Sequence, residues 1–160
     1  MLALFIECFV VCGLFFAFCF LGTGSDEKNI RSFESYPKEL QTQLENDENL
    51  KGKIRKNKWY ITFLINLLMF TIIFFICGIF VRSDSFFKNF ASMFILGQIL
   101  NLFDLVIDLL WRRNTKRVRF TNYPEKELYQ DPKSHYISFL KAIVMFTLVA
   151  LIVGGLITLF

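Results

Sequence analysis

The chain has 160 residues, 54% of them hydrophobic, and it carries a formal net charge of +4 at neutral pH. A soluble domain usually contains about 45–50% apolar residues, so the distribution of the excess decides the class of protein. The apolar residues form long blocks with almost no charge, and the 18 lysines and arginines lie almost entirely between these blocks. This pattern predicts a polytopic membrane protein. The small net charge, without a recognised binding motif, argues against a nucleic-acid partner.

Four apolar segments are long enough to cross a bilayer, because a spanning helix needs about 20 mainly apolar residues. They cover about 1–21, 59–81, 86–111 and 136–160. A closed β-barrel is the only other spanning solution, and its short segments of alternating polarity are missing. We therefore predict an all-α four-helix membrane bundle in which 1–160 form a single membrane domain, joined by long loops at 22–57 and 112–135.

The first segment resembles a signal peptide in its position, but no lysine or arginine precedes Asp26. Signal peptides carry a positive region before a short apolar core. The segment is therefore predicted to be a retained helix. Within it, Glu7 has three possible explanations: it is neutral, it lies near the amino terminus, or it pairs with Lys88.

Cysteines and small residues mark further helix faces. Soft thiolates in a row can hold copper(I), but free cysteine more often packs as a small apolar residue. The four cysteines are Cys8, Cys12, Cys19 and Cys77. We predict that the cysteines pack as small apolar residues, with no metal and no cofactor.

Small residues on the last helix permit close packing within the bundle or in a homo-oligomer. They are Thr147, Ala150, Gly154 and Thr158.

The basic residues predict the orientation, because cytoplasmic loops carry the excess of lysine and arginine. Seven basic residues lie in each long loop, whereas only Arg82 and Lys88 lie near the turn between the second and third helices. Both long loops are predicted to be cytoplasmic and both termini outside, in a multi-pass cell-membrane protein. Basic clusters at the loop ends predict membrane lipids with anionic headgroups as partners, at about 1 kcal/mol per basic residue near the surface.

The first long loop contains one helix start. Ser35 can cap free amides, and Pro37 is tolerated in a first helical turn. Leu40 and Leu44 then fall on one face at i and i+4. One such pair is a weak stripe, so a helix that lies on the membrane or covers the bundle and a solvated connector remain alternatives.

The third helix carries polar residues on one narrow stripe: Asn101, Asp104 and Asp108. A carboxylate at the centre of a bilayer costs about 2.5–3.5 kcal/mol, so this stripe is predicted to face the bundle interior or a cytoplasmic cavity. Trp111 is expected at the cytoplasmic interface, and a helical rise of about 1.5 Å per residue then places Asp104 roughly 10 Å inside the membrane. Measured in the same way from the aromatic residues where the second and fourth helices enter the membrane, Asn66 lies at a depth of roughly 10 Å and Lys141 at roughly 8 Å.

Two interpretations of this polar layer stay open. In one, Lys141 pairs with Asp104 or Asp108 as a buried structural ion pair, with Asn66 and Asn101 satisfying leftover hydrogen bonds and Arg112 capping Asp108 at i+4. In the other, the same six residues line a ligand pocket, since intramembrane charges are functional candidates by default. His135 is interpreted as an interfacial residue.

These residues lead to three functional hypotheses. The first is a non-enzymatic membrane protein whose cytoplasm-facing pocket binds a small polar or lipid ligand or a partner protein. The second is a small transporter or channel subunit, and the third is a lipid-modifying enzyme that uses Asp104 and Asp108. With the Asn101-x-x-Asp104-x-x-x-Asp108-x-x-Trp111 ending of the third helix, the chain resembles small four-span bacterial proteins of the inner membrane. That resemblance implies the architecture and no activity.

Overall fold

The computed structural model describes residues 2–56 and 58–159. These residues are 78% helical and contain no strand. The α-helices are α1 (Leu2–Leu21), α2 (Asp26–Asn29), α3 (Lys38–Asn46), α4 (Glu48–Lys51), α5 (Trp59–Phe80), α6 (Phe86–Val106) and α7 (Lys133–Leu159). Short 3₁₀ segments cover Ile30–Ser35 and Lys126–Tyr129, and α6 continues as a π-helix over Ile107–Arg112.

Four helical segments are long and apolar enough to span a membrane, as the sequence predicts. They are Leu2–Leu21, Trp59–Phe80, Phe86–Arg112 and Lys126–Leu159. The boundaries agree closely, except that α7 begins at Lys133, three residues before the predicted start. The Asp131 side chain accepts a hydrogen bond from the Lys133 amide at 3.0 Å, which provides the cap for this earlier start.

The chain packs as two compact units. Unit 1 takes its described residues from Met1–Gly13, Asn57–Phe103 and Phe139–Phe160, and unit 2 takes its residues from Leu14–Lys56 and Asp104–Ser138. The predicted single membrane domain concerns how these units sit together, so it stays a prediction.

Unit 1 packs its helices closely at small residues. A Cβ added to Gly154 would lie 2.9 Å from the backbone nitrogen of Phe90, and one added to Gly97 would lie 2.9 Å from the Cβ of Phe146. Ala150 is fully buried. The small face of the last helix therefore packs against a neighbouring helix of the same unit, and this close approach needs glycine at 97 and 154.

The turn between α5 and α6 is closed by Asn89. Its side chain accepts a hydrogen bond from the Ser83 amide and donates to the Ser83 carbonyl, both at 2.8 Å. The same amide group donates to Thr158 Oγ1 on α7 at 2.8 Å. Buried polar groups need such partners, so Asn89 and Thr158 have a structural role in unit 1.

Unit 2 has a hydrophobic core of its own, built from both long loops. Leu40 and Leu44 of α3 are fully buried, which shows that the first loop is folded and is not a solvated connector. The core also includes aromatic and aliphatic residues from both loops: Ile30, Phe33, Tyr36, Leu50, Val118, Phe120 and Tyr129. The i, i+4 pair that looked weak in the sequence is therefore the centre of a core.

Arg117 fastens the second long loop to the end of α1. Its guanidinium donates to the carbonyls of Phe20 and Thr23 and lies 3.9 Å from the centroid of the Phe20 ring. The last carbonyls of a helix have no partner within the helix, so Arg117 caps α1. Gly24 follows at φ +109, a conformation that favours glycine, and a Cβ there would lie 2.8 Å from the Arg117 guanidinium.

Candidate functional site

The six candidate residues fall in different units. Unit 2 contains Asp104, Asp108 and Arg112, and unit 1 contains Asn66, Asn101 and Lys141. The pairing predicted between Lys141 and an aspartate joins residues of different units, so it stays a prediction.

The unit 1 candidates differ in burial. Asn101 is 2% exposed and donates a hydrogen bond to the carbonyl of Phe139 at 3.2 Å, which ties α6 to α7. Asn66 is half-buried on α5, and Lys141 is exposed on α7. Asn101 thus has a hydrogen-bond partner on α7, and the role predicted for the asparagines beside a Lys141–aspartate pair stays a prediction.

Asp108 is the centre of the polar cluster in unit 2. Its Oδ2 lies 2.6 Å from Nδ1 of His135, and its Oδ1 accepts from Arg112 Nη1 at 3.3 Å. The three side chains are 11%, 8% and 17% exposed, in the order Asp108, His135, Arg112. The contact between Asp108 and Arg112 is the i+4 cap that the sequence predicts. A buried carboxylate with two such partners satisfies both of its oxygens.

The backbone at Asp108 is unusual. Ile107–Arg112 forms a π-helix, in which the amide of Arg113 donates to the carbonyl of Asp108 at 3.3 Å. Helices of this kind are rare and are often found at functional sites. The π-helix contains both members of the Asp108–Arg112 pair, and His135 comes from the first turn of α7.

Ser35 holds the other side of Arg112. Its hydroxyl accepts from Arg112 Nη2 at 3.1 Å and donates to the carbonyl of Ser32 at 2.7 Å. Ser134, next to His135, donates to the Ser35 carbonyl at 3.4 Å. Because its proton is directed to a carbonyl, Ser35 is arranged to position the arginine, not to act as a nucleophile.

A small cleft opens beside this cluster. It has a volume of about 10 Å³, the size of about one water molecule. It is lined by Ser35, Tyr36, Pro37, Arg112, Arg113, Val118, Tyr129 and His135. The Tyr36 hydroxyl donates to the carbonyl of Val118 at 3.1 Å, and burial raises the pKa of Tyr36, so its phenol stays neutral.

Arg113 is the cation of the cleft that lacks a partner. Its Nε is buried and has no hydrogen-bond acceptor among the described residues. Gln130 contacts the backbone carbonyl of Arg113, at 2.8 Å, and leaves the side chain unbound. The Nε atoms of Arg117 and Arg119 are also buried without an acceptor, but both guanidiniums donate to backbone carbonyls through their Nη atoms, and among the described residues the Arg113 side chain forms no such bond.

The sequence did not identify three parts of this cluster. His135 is 8% exposed and bound to Asp108, a contact that no local sequence pattern predicts, and its position at the membrane interface stays a prediction. The sequence suggests Ser35 only as a helix cap, which is wrong, because no side chain caps α3 and the Ser35 hydroxyl donates to the Ser32 carbonyl. Arg113 stands out in the sequence only as one of the basic residues of its loop. One sequence feature does point to His135: it and Asp108 both lie near helix ends that the charge rule places on the same side of the membrane.

The cluster differs from a metal centre in its composition. Within residues 2–56 and 58–159, no three His, Cys, Asp or Glu side chains come together as metal ligands would. Asp104 lies one helical turn before Asp108 and is half-buried. In this arrangement Asp108 contacts both His135 and Arg112, whereas the Arg113 side chain lines the cleft.

No protein-family model matches the chain, and no curated protein or solved structure resembles it significantly.

Proposed function

We propose that this chain is a non-enzymatic integral membrane protein that binds a phosphate-bearing lipid headgroup in the cleft of unit 2. The observation that supports the proposal is the Arg113 guanidinium, which lines the cleft with a buried, unpartnered Nε. Arginine donates charge-assisted hydrogen bonds to phosphate oxygens and is often used to recognise phosphate.

The charge of the cleft supports an anion. Asp108 neutralises Arg112 across a 3.3 Å contact, and no carboxylate lies within 4.0 Å of Arg113 among the described residues. One positive charge is therefore left over beside the hydroxyl and imidazole groups of the cleft. The cleft has room for about one water molecule, so it admits one phosphate oxygen, and the rest of the headgroup lies outside it.

The arginines that line the cleft lie at the end of a segment that could span a membrane, and this favours a lipid over a free anion. Arg112 and Arg113 stand at the end of a segment that is long enough to span the bilayer, and Trp111 precedes them. Tryptophan marks the level of the headgroups, and basic residues there attract anionic lipids. We place this end on the cytoplasmic side of the cell membrane with both termini outside, because both long loops are rich in lysine and arginine.

The Asp108–His135 pair favours one alternative, a lipid-modifying enzyme. A carboxylate that holds Nδ1 orients Nε2 to accept a proton, as in general-base catalysis. That alternative predicts turnover of the bound lipid and its loss in His135→Gln, whereas a binding protein releases the lipid unchanged.

The test is lipid binding by the purified full chain, measured by native mass spectrometry after removal of detergent. The probes are phosphatidylglycerol, phosphatidylcholine and inorganic phosphate. We expect Arg113→Gln to weaken binding of phosphatidylglycerol about 10-fold or more, since a charged hydrogen bond contributes about 1.5–3 kcal/mol.

The matched control is Lys116→Gln, which removes an exposed charge from the same loop but does not line the cleft. Lipid binding that falls equally in both variants would show general attraction to basic loops and would refute the cleft. If the protein binds inorganic phosphate tightly and does not bind phosphatidylglycerol, the ligand of the cleft is a free anion and not a lipid.

A further inference from the structure

Glu7 lies outside the site described above and has no role in it. Both of its carboxylate oxygens are buried, and neither has a hydrogen-bond partner among the described residues. Its position is the sixth residue of α1, roughly 8 Å along a helix that is long and apolar enough to span a bilayer. It belongs to unit 1.

Among residues 2–56 and 58–159, no cation lies against Glu7, and the amino terminus, which the sequence offers as one explanation of Glu7, lies outside the described residues. Phe5 and Phe9 on the same helix are 72% and 77% exposed, which is typical of residues that face lipid. The titratable groups that interact with Glu7 are the thiols of Cys8 on α1 and Cys77 on α5. Lys88, the partner considered from the sequence, is exposed and forms no ion pair with Glu7 in the described part of the chain.

An ionised carboxylate in this position would be costly. Burial of an unpaired charge costs many kcal/mol, and such a group takes up a proton instead. Ionisable residues within a membrane span are therefore expected to bind protons or ions. The same enclosed oxygens are less costly when one of them carries a hydrogen atom, because only the charge creates the large penalty.

We propose that Glu7 is a proton-binding site of unit 1, a carboxylic acid that stays protonated at neutral pH within the apolar part of the bilayer. Its ligand is the proton, and it releases that proton only when water or a cation reaches the carboxyl group. The proposal depends on placing α1 in a membrane and is independent of the anion cleft.

A hydrophobic carbodiimide tests this chemistry, because it reacts with protonated carboxyls in apolar surroundings. The carboxyl oxygen bonds to the central carbon of the reagent while the carboxyl proton moves to one of its nitrogens. The product rearranges to a stable N-acylurea without losing an atom. The full chain is reconstituted in phosphatidylcholine vesicles, treated at pH 8, and mapped by peptide mass spectrometry.

We expect one adduct on the peptide that contains Glu7, because exposed glutamates are ionised far above their usual pKa of about 4.3. Glu7→Gln should lose this adduct, and Glu39→Gln, which changes an exposed glutamate of α3, should keep it. The wild-type peptide map gives the answer even where Glu7→Gln fails to fold. Absence of the adduct on Glu7, or equal labelling of Glu39 at pH 8, would overturn the proposal.

Discussion

The two units of this chain become compact in different ways. Unit 1 is built from long apolar helices whose close contacts depend on glycine, such as Gly97 against Phe146. Unit 2 is built from short helices and loops around a core of its own, and it buries the ion pair between Asp108 and Arg112. The spanning segments of unit 1 are therefore visible in the apolar composition, whereas the core of unit 2 depends on contacts between distant segments that composition does not reveal.

The largest effect is expected where unit 2 buries charge. Asp108→Asn removes the anion that faces Arg112 and His135, and removal of one partner of a buried pair costs about 3–5 kcal/mol. Thermal unfolding of the purified protein, measured by circular dichroism, should show a markedly lower midpoint. Asp84→Asn, at an exposed position, is the control and should change little. Equal stability of the two variants would show that the cluster is not important for folding.

The same leucine deletion should act differently in the two units. Leu40→Ala should cost about 2–5 kcal/mol, because it opens a cavity in the core of unit 2. Leu64→Ala should cost much less, since Leu64 is 57% exposed on a helix that we place in lipid, which is as apolar as leucine. Both values come from unfolding in denaturant, and comparable losses would contradict the comparison of the units.

This difference also explains how much the sequence reveals. Runs of apolar residues predict the four spanning segments, and the cost of charge in lipid singles out Asp104 and Asp108 as residues that need an explanation. The core of unit 2 depends on contacts such as that between Tyr36 and Val118, 82 residues apart. His135 was missed for the same reason, because its partner Asp108 is 27 residues away and no local pattern joins them.

A pair of neighbouring glycines tests the packing of unit 1. Gly154→Ala places a methyl group 2.9 Å from the Phe90 backbone, which cannot move like a side chain, so we expect a loss of about 1–3 kcal/mol. Gly155→Ala meets no atom within 4 Å and should be neutral or slightly stabilising. Thermal unfolding in the same detergent compares the two. If Gly155→Ala is less stable than Gly154→Ala, the close approach of α7 to α6 at Gly154 does not stabilise unit 1.

The smallest effect is expected from Tyr36 and appears only at high pH. Burial raises the pKa of Tyr36 in the folded chain, whereas an unfolded tyrosine ionises near pH 10. The folded state therefore favours the neutral phenol, so this contribution to stability is complete below about pH 10 and is lost as the pH rises toward the folded pKa. Between pH 10 and the pKa of the folded state, each pH unit should lower the free energy of unfolding by about 1.4 kcal/mol for this one tyrosine.

Tyr36→Phe should reduce the alkaline loss, because phenylalanine has no proton to release. Its cost near neutral pH should be about 1 kcal/mol, for the lost hydrogen bond to the Val118 carbonyl. Tyr60→Phe, at a position that is 44% exposed, should leave the pH profile unchanged. Urea unfolding midpoints between pH 7 and about pH 11 measure these profiles. A steep loss that persists in Tyr36→Phe would assign the alkaline transition to other groups, and the buried phenol would then not be the feature that makes unit 2 sensitive to pH.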